Sequence, residues 1–535
     1  MSDPSSVVNP VSFQLNDGWR LPFDVVSGIM AASRPSTISA LMKTCNTLYT
    51  EGPKHLLSDG VRLGQTFEVT TFANFMLTED PSRFTHLRKL VLTVPSLVNS
   101  SAQARLIDLL AHPCLALETL ILLHTKVFLG RRTPSPTREA FRRLKTIKHL
   151  VVLNVQEESS RAIKALPSKL ESISISFDVG VGLHHFGIWS TLKPFSDTLH
   201  TMLINSDPSI PALSLLTDAR AHDFPHVRTF GIVWNDSLPE LLASPPFAQA
   251  FPAITHLKLI PTELPAVTHL QSGQSNRRKP ELDRIARLRE DLRAQKAQHR
   301  DGVVPLLSSL IECSGGLFSV YMLGLDCTLS TLRIWQSVRV GDLPILRAVL
   351  EDTRPRHLCL STALDNVANV FATLRTLRTQ APPRIDLNIS LQWRLWVSGG
   401  VSKNTKATLR SSLELLFQPL LTGLVELHLR VIVLDARVRH GEESTISEAL
   451  AAFTRWASTA APHLTLTCRF SVDADWQWPD LRQRNYDDDD DDEDDDNDYD
   501  YDNYDENQNN SGDLRAFCEQ DGDEYDSDQW RRWDD

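Results

Sequence analysis

"LRKLVL" (Leu87–Leu92) and "LETLIL" (Leu117–Leu122) share one spacing: apolar, two free positions, apolar, one free position, apolar. The last three residues alternate, which is the period of a strand with one buried face. The spacing returns in "LVVLNV" from Leu150, "LESISI" from Leu170, "LHTMLI" from Leu199, "VRTFGI" from Val227, "ITHLKL" from Ile254 and "LVELHL" from Leu424. From Leu87 to Ile254 the first positions step by 30, 33, 20, 29, 28 and 27 residues. Steps in this range mark a solenoid, whose units bury their apolar faces only against their neighbours.

Between the strands lie segments of helical period, such as "AQARLIDLLAH" and "SRAIKAL". Each unit therefore reads as strand, loop and helix, and residues 61–480 as an irregular α/β solenoid. Toward the C-terminus "PILRAVLED" is a predicted helix with Pro344 in its first turn, where proline is tolerated. "RHLCLS" follows as a strand, "ALDNVANVFATLRTL" as a helix and "RIDLNISLQW" as a strand. "KATLRSSLELLFQPLL" and "LVELHLRVIV" repeat the order. "STISEALAAFTRWAS" is a helix with Thr445 and Glu448 at capping-box spacing, and "HLTLTCRF" the last strand. The charged segment 271–301 interrupts the repeats. Leu282, Ile285, Leu288 and Leu292 step by three and four, which predicts a solvent-exposed helix inserted between units.

The first twenty residues are polar and read as loose chain. "LPFDVVSGIM" (Leu21–Met30) then opens a helical module over 21–60. Val25, Val26, Ile29 and Met30 share one helical face; Ile38, Leu41, Met42, Cys45 and Leu48 share another. Ser36 is placed to cap the second helix, Gly52-Pro53 to break it, and "KHLLSDG" to form a short third one. About forty residues cannot bury enough surface to fold alone, so an apolar stripe here needs something to cover it.

The net charge of −12 averages two unlike parts. From Tyr486 onward there are 24 Asp and Glu against three Arg, a net of −21, which leaves +9 on residues 1–485. A run of like charges repels itself, so 486–535 reads as a disordered acidic tail. It is read as a solvating end, as a shield docking on the basic body, or as a lure for basic partners. Trp530 and Trp533 near its end have the spacing of a short docking helix. No membrane span and no secretory signal are expected. Seven scattered cysteines with no CxxC pair point away from a disulfide framework or a cysteine-rich zinc site, and toward cytosol or nucleus.

The helical module resembles an F-box, the short unit that docks the Skp-type adaptor of cullin-RING ubiquitin ligases. Leu21 and Pro22 match the family's opening pair, Ile29 and Leu41 its apolar anchors, and Cys45 a frequent cysteine; "CNTLY" stands where many members carry Cys-x-x-Trp. The repeats resemble leucine-rich repeats in degenerate form. The family's Asn or Cys, eight positions after the first Leu, is met by Asn235 but replaced by Pro95, Thr125, Glu158 and Asp178. Together the chain resembles a fungal-type F-box protein with degenerate leucine-rich repeats. The resemblance implies a non-catalytic substrate receptor, monomeric within a hetero-complex with the Skp-type adaptor and cullin. Leu21, Pro22, Val25, Ile29, Leu41, Cys45, Leu48 and Tyr49 would meet the adaptor. A target protein would meet the outward residues of the sheet, Val91, Ile121, Asn154, Ser174, Leu203, Gly231, Lys258 and His428. The alternative is an interaction scaffold whose helices only cap the solenoid.

Other chemistry finds little footing. No GxSxG, HExxH, GxxxxGK[ST] or strand-borne GxGxxG is present. His184 and His185 in "GVGLHHFG" lack a second ligand cluster at metal spacing, so no metal or cofactor is expected. The dispersed Lys and Arg, without interleaved aromatics, predict no nucleic-acid partner.

Overall fold

The computed structural model describes residues 12–14 and 20–472 with internal gaps, the longest being 206–222, 261–282 and 392–412. The acidic tail, His184 and His185, and most of "KATLRSSLELLFQPLL" lie outside the described residues.

Two short strands, β1 (Ser12–Gln14) and β2 (Arg20–Pro22), pair antiparallel with Phe13 opposite Leu21. Part of the expected loose chain is thus a ladder, which satisfies backbone groups between its own two strands. Three helices follow: α1 (Phe23–Ala31), α2 (Pro35–Met42) and α3 (Asn46–Ser58). The predicted second helix is in fact two. Pro35 opens α2 with Arg34, not Ser36, at the N-cap. Proline there forfeits no helical hydrogen bond. α3 runs on through Gly52 and Pro53, where the sequence predicts a break. Burial of Leu48 and Gly52 on one face and Leu57 on the other offsets the single bond that Pro53 removes. A Cβ at Gly52 would overlap the Met42 side chain, so glycine is what lets α3 lie against α2. Gly52→Ala is expected to cost about 1–3 kcal/mol through overpacking, read as a lower urea midpoint.

Val26, Met30, Ile38, Met42 and Leu48 form a small core within this module. It is also stitched to the body. Leu57 belongs to the main core. Arg83, only 3% exposed, has its guanidinium 5.1 Å from the Tyr49 ring centroid and 4.2 Å from that of Phe75.

Among the described residues, fourteen parallel strands form the main sheet in strict chain order. They are β3 (Val61–Leu63), β4 (Lys89–Leu92), β5 (Thr119–Leu122), β6 (His149–Val155), β7 (Ser172–Phe177), β8 (Thr201–Asn205) and β9 (Thr229–Val233). Then come β10 (His256–Ile260), β11 (Glu312–Gly315), β12 (Thr331–Val338), β13 (His357–Ala363), β14 (Arg384–Leu391), β15 (Glu426–Val433) and β16 (Thr465–Val472). A parallel sheet in which each strand lies beside its predecessor, with helices in the connections, is a mixed α/β, solenoid-like architecture. One face buries pairs such as Leu90 and Leu92, Leu120 and Leu122, Ile173 and Ile175. The first apolar residue of the spacing, as in Leu87, Leu117, Leu170 and Leu199, is fully buried beneath them.

The repeat frame shifts at one place. Leu150 pairs with Leu120 and Val152 with Leu122, so the third unit begins at Ile147 as "IKHLVV". With Ile147 the steps become 30, 30, 23, 29, 28 and 27 residues. "LIECSG" from Leu310 and "LSTLRI" from Leu329 are two further units, which supply β11 and β12.

At the entry to the strands, neighbouring units share carbonyls. Glu118 and Thr119 N–H both donate to the Arg88 carbonyl, and Lys148 and His149 N–H to that of Glu118. Thr146 and Thr198 hydroxyls donate to the Leu117 and Leu170 carbonyls, each at 2.7 Å. These bonds satisfy backbone groups at the entry to the strands.

The charged insertion is docked, not solvent-exposed. Ile285 and Arg289 are buried. Arg289 lies 4.0 Å from the Tyr321 ring centroid and pairs with Asp352, which also holds Arg293 at 2.5 Å. An arginine whose stem packs and whose head is paired is stable in such a place. Asp352→Asn strips the charge from a buried pair. It is expected to cost about 2–3 kcal/mol in urea unfolding. The helix expected at "STISEALAAFTRWAS" spans His440–Ala460, which leaves Thr445 inside the helix rather than at its cap. Among the described residues no helix is long and apolar enough to cross a membrane.

Candidate functional site: a helical stripe and the open face of the sheet

α1 turns Val26 and Met30 inward. Val25 and Ile29, one turn apart, are left 43% and 45% exposed on its outer side. Pro22 is exposed just ahead of them. These three of the eight expected adaptor residues make an apolar stripe open to solvent. Leu41, Cys45 and Tyr49 are half-buried against the module's own core. Cys45 is the N-cap residue of α3. Leu48 is a correction. At 4% exposure it is core, because α3 turns that face toward α1 and α2. Leu21 lies in β2 opposite Phe13.

The second surface is the sheet face away from the buried Leu and Ile pairs. Strand register sets one residue per unit in a continuous row. It runs Val91, Ile121, Val151, Ser174, Leu203 and Gly231. Asn154, expected in this row, is displaced by Val151. The pairing of β6 with β7 shifts between Val152 and Val155, and Asn154 sits in that irregularity with φ of 57°. Asparagine is among the few residues that adopt this left-handed conformation readily. The correction makes the apolar part of the row continuous over β4, β5 and β6. Leu203 lies against Gly231, where a Cβ would overlap it.

Beyond Gly231 the row turns polar: Lys258, Ser314, Arg333, Cys359, Asp386 and His428. A parallel row, two residues earlier on each strand, places Glu312, His357, Arg384 and Glu426 beside it. The two rows interlock. Arg333 Nε lies 3.0 Å from Glu312 Oε1, and His357 Nε2 2.9 Å from Asp386 Oδ2. Arg384 Nη1 lies 3.4 Å from Glu426 Oε2, and His428 Nε2 2.7 Å from Glu426 Oε1.

Burial governs the titrating groups here. It lowers the Lys258 pKa below its ordinary value, with Glu312 opposing. It also lowers that of His357, although Asp386 pulls the other way. Burial pushes the Cys359 thiol up to about 12, and the Asp386 charge adds to it. A thiol so raised is not set for nucleophilic attack, which needs the thiolate at neutral pH. His357, Cys359 and Asp386 nonetheless bring one nitrogen, one sulfur and one carboxylate oxygen within 4.8 Å of one another.

Of the residues in this half, the sequence singled out Lys258 and His428. The others come from strands whose partners are 19 to 56 residues away, which no local pattern joins. "LSTLRI" carries the full spacing and was the signal for Arg333. Comparison of the sequence with protein-family models gives no match, and comparison with curated proteins gives none.

Proposed function

We propose that the chain is a non-catalytic substrate receptor of a cullin-RING ubiquitin ligase. Its helical module would dock a Skp-type adaptor, and the open face of its sheet would hold a target protein. The observation that carries this reading is the exposed stripe of Pro22, Val25 and Ile29 on a module fixed to one end of a parallel solenoid. Uncovered apolar side chains aligned on one helix are a docking surface in search of a partner. The row of Val91, Ile121, Val151 and Leu203 supplies a second apolar strip for the target. The ligase would then transfer ubiquitin by proximity. The reading places the chain in cytosol or nucleus.

Co-purification with the adaptor tests it. Wild type is expected to bind, and Val25→Asp with Ile29→Asp to weaken binding at least tenfold while the circular dichroism spectrum stays unchanged. Both positions are on the outer side of α1, so the change leaves the core intact. Loss of binding by Leu21→Ala with Pro22→Ala would agree. A wild type that fails to bind, or an aspartate pair that binds like wild type, removes the receptor reading.

The scaffold-with-cap reading has its own support in the seams between module and body, Leu57 and Arg83 above all. A module of this kind serves both ends: one face closes the solenoid while the other stays free.

A further inference from the structure

His357 and Cys359 stand two residues apart on β13, so both side chains leave the same face of the sheet. β14 sets Asp386 directly opposite Cys359. The three ligand-type atoms form a closed triangle. His357 Nε2 is 2.9 Å from Asp386 Oδ2 and 3.4 Å from Cys359 Sγ, and Sγ is 3.6 Å from Asp386 Oδ2. Zinc sits about 2.3 Å from sulfur and about 2.0–2.2 Å from nitrogen and oxygen, which in a tetrahedron holds ligand atoms about 3.4–3.6 Å apart. Two edges of the triangle have that length already. The third is short by about half an ångström, within reach of a small rotation of the Asp386 carboxylate.

We propose that His357, Cys359 and Asp386 form a binding site for a divalent cation of the zinc class, with the fourth coordination position open to the sheet face. The donor set selects this class. One thiolate, one imidazole and one carboxylate suit zinc or cobalt, whereas magnesium and calcium take oxygen alone. The surrounding charges allow it. Arg333 and Arg384 are each engaged by a glutamate, Glu312 at 3.0 Å and Glu426 at 3.4 Å, and Arg384 Nε lies farther, 3.7 Å, from Asp386 Oδ1. The thiolate and the Asp386 carboxylate together then balance the two charges of the ion. Asp386 Oδ1 is buried without a hydrogen bond and faces Arg384 Nε at 3.7 Å, which leaves Oδ2 as the oxygen offered to the ion. Binding exchanges one proton for the metal: the cation takes the Cys359 sulfur, and the thiol proton leaves to solvent. The open position takes water, or a donor atom of whatever lies on the sheet face. The site does not rest on the receptor reading, since it uses none of the adaptor or apolar-row residues.

Cobalt titration of the metal-stripped full chain tests it, in excess magnesium to occupy the carboxylates of the acidic tail. Wild type is expected to take up one equivalent of cobalt with a thiolate-to-cobalt charge-transfer band in the near ultraviolet, displaced by zinc. Cys359→Ser should abolish the band; His357→Gln and Asp386→Asn should each weaken binding at least tenfold. Cys114→Ser, at an exposed cysteine away from the trio, should keep the band. X-ray absorption of the zinc-loaded wild type needs no variant and should show one sulfur among nitrogen and oxygen ligands. Absence of the band in wild type, a band that survives Cys359→Ser, or a first shell with no sulfur or with more than one overturns the proposal.

Discussion

Phe251→Ala is expected to lower the unfolding free energy by about 3–5 kcal/mol, the range for emptying a buried aromatic site. Phe251 is fully buried. Its ring centroid lies 4.8 Å from Phe247, 5.2 Å from Phe230, 5.3 Å from Phe224 in a stacked arrangement, and 5.5 Å from Trp189. Those four rings belong to successive units. Trp189 follows β7, Phe224 precedes β9, Phe230 lies within it, and Phe247 leads toward β10. In a solenoid each unit is held by its neighbours, so a hole shared among three units weakens several interfaces at once. Surrounding rings are too stiff to close a void of that size. The measurement is urea unfolding followed by circular dichroism and tryptophan fluorescence, with Phe251→Leu as the size control. The leucine variant should lose clearly less, because it keeps most of the apolar volume. An alanine variant within about 1 kcal/mol of wild type would show that this cluster does not tie the units together.

Much of the body is legible in the sequence because the unit that repeats is also the unit that buries. Leu87, Leu90 and Leu92 share one spacing, and each is buried. The reading slips where the pattern admits two frames. "IKHLVVLNV" contains the spacing from Ile147 and again from Leu150, and only pairing with β5 decides between them. It also slips where a unit's apolar content is thin, as in "LIECSG", whose buried strand residues are a cysteine, a serine and a glycine. The helical module was legible as helices but not in their boundaries, since Pro35 and Pro53 act through tertiary packing that local rules do not contain. The docked insertion escaped for a similar reason. Arg289 reads as a surface charge until Tyr321 and Asp352 are placed around it. The polar half of the open face was least legible of all. His357 and Asp386 are 29 positions apart, and strand register alone makes them neighbours.

Removal of residues 1–58 is expected to destabilise the body by several kcal/mol, beyond the about 2–5 kcal/mol of a single buried leucine. α3 gives Leu57, fully buried, to the main core beside Leu63, Val69 and Phe84. Its loss opens that side of the first unit to water, and solenoids depend on such end caps. It also strips Tyr49 from the Arg83 guanidinium, which is left buried with less to hold it. Urea unfolding of the truncated chain should therefore show a lower midpoint and a smaller surface change. The same experiment on Val25→Asp with Ile29→Asp should leave the midpoint within about 0.5 kcal/mol of wild type, since both side chains face solvent. The pair of results separates the two roles of one module. Stability lost with residues 1–58 but kept in the aspartate pair assigns the inner face to capping and leaves the outer stripe for a partner. A truncated chain as stable as wild type would remove the capping role, because the buried Leu57 and the stacked Arg83 would then contribute nothing that the body needs.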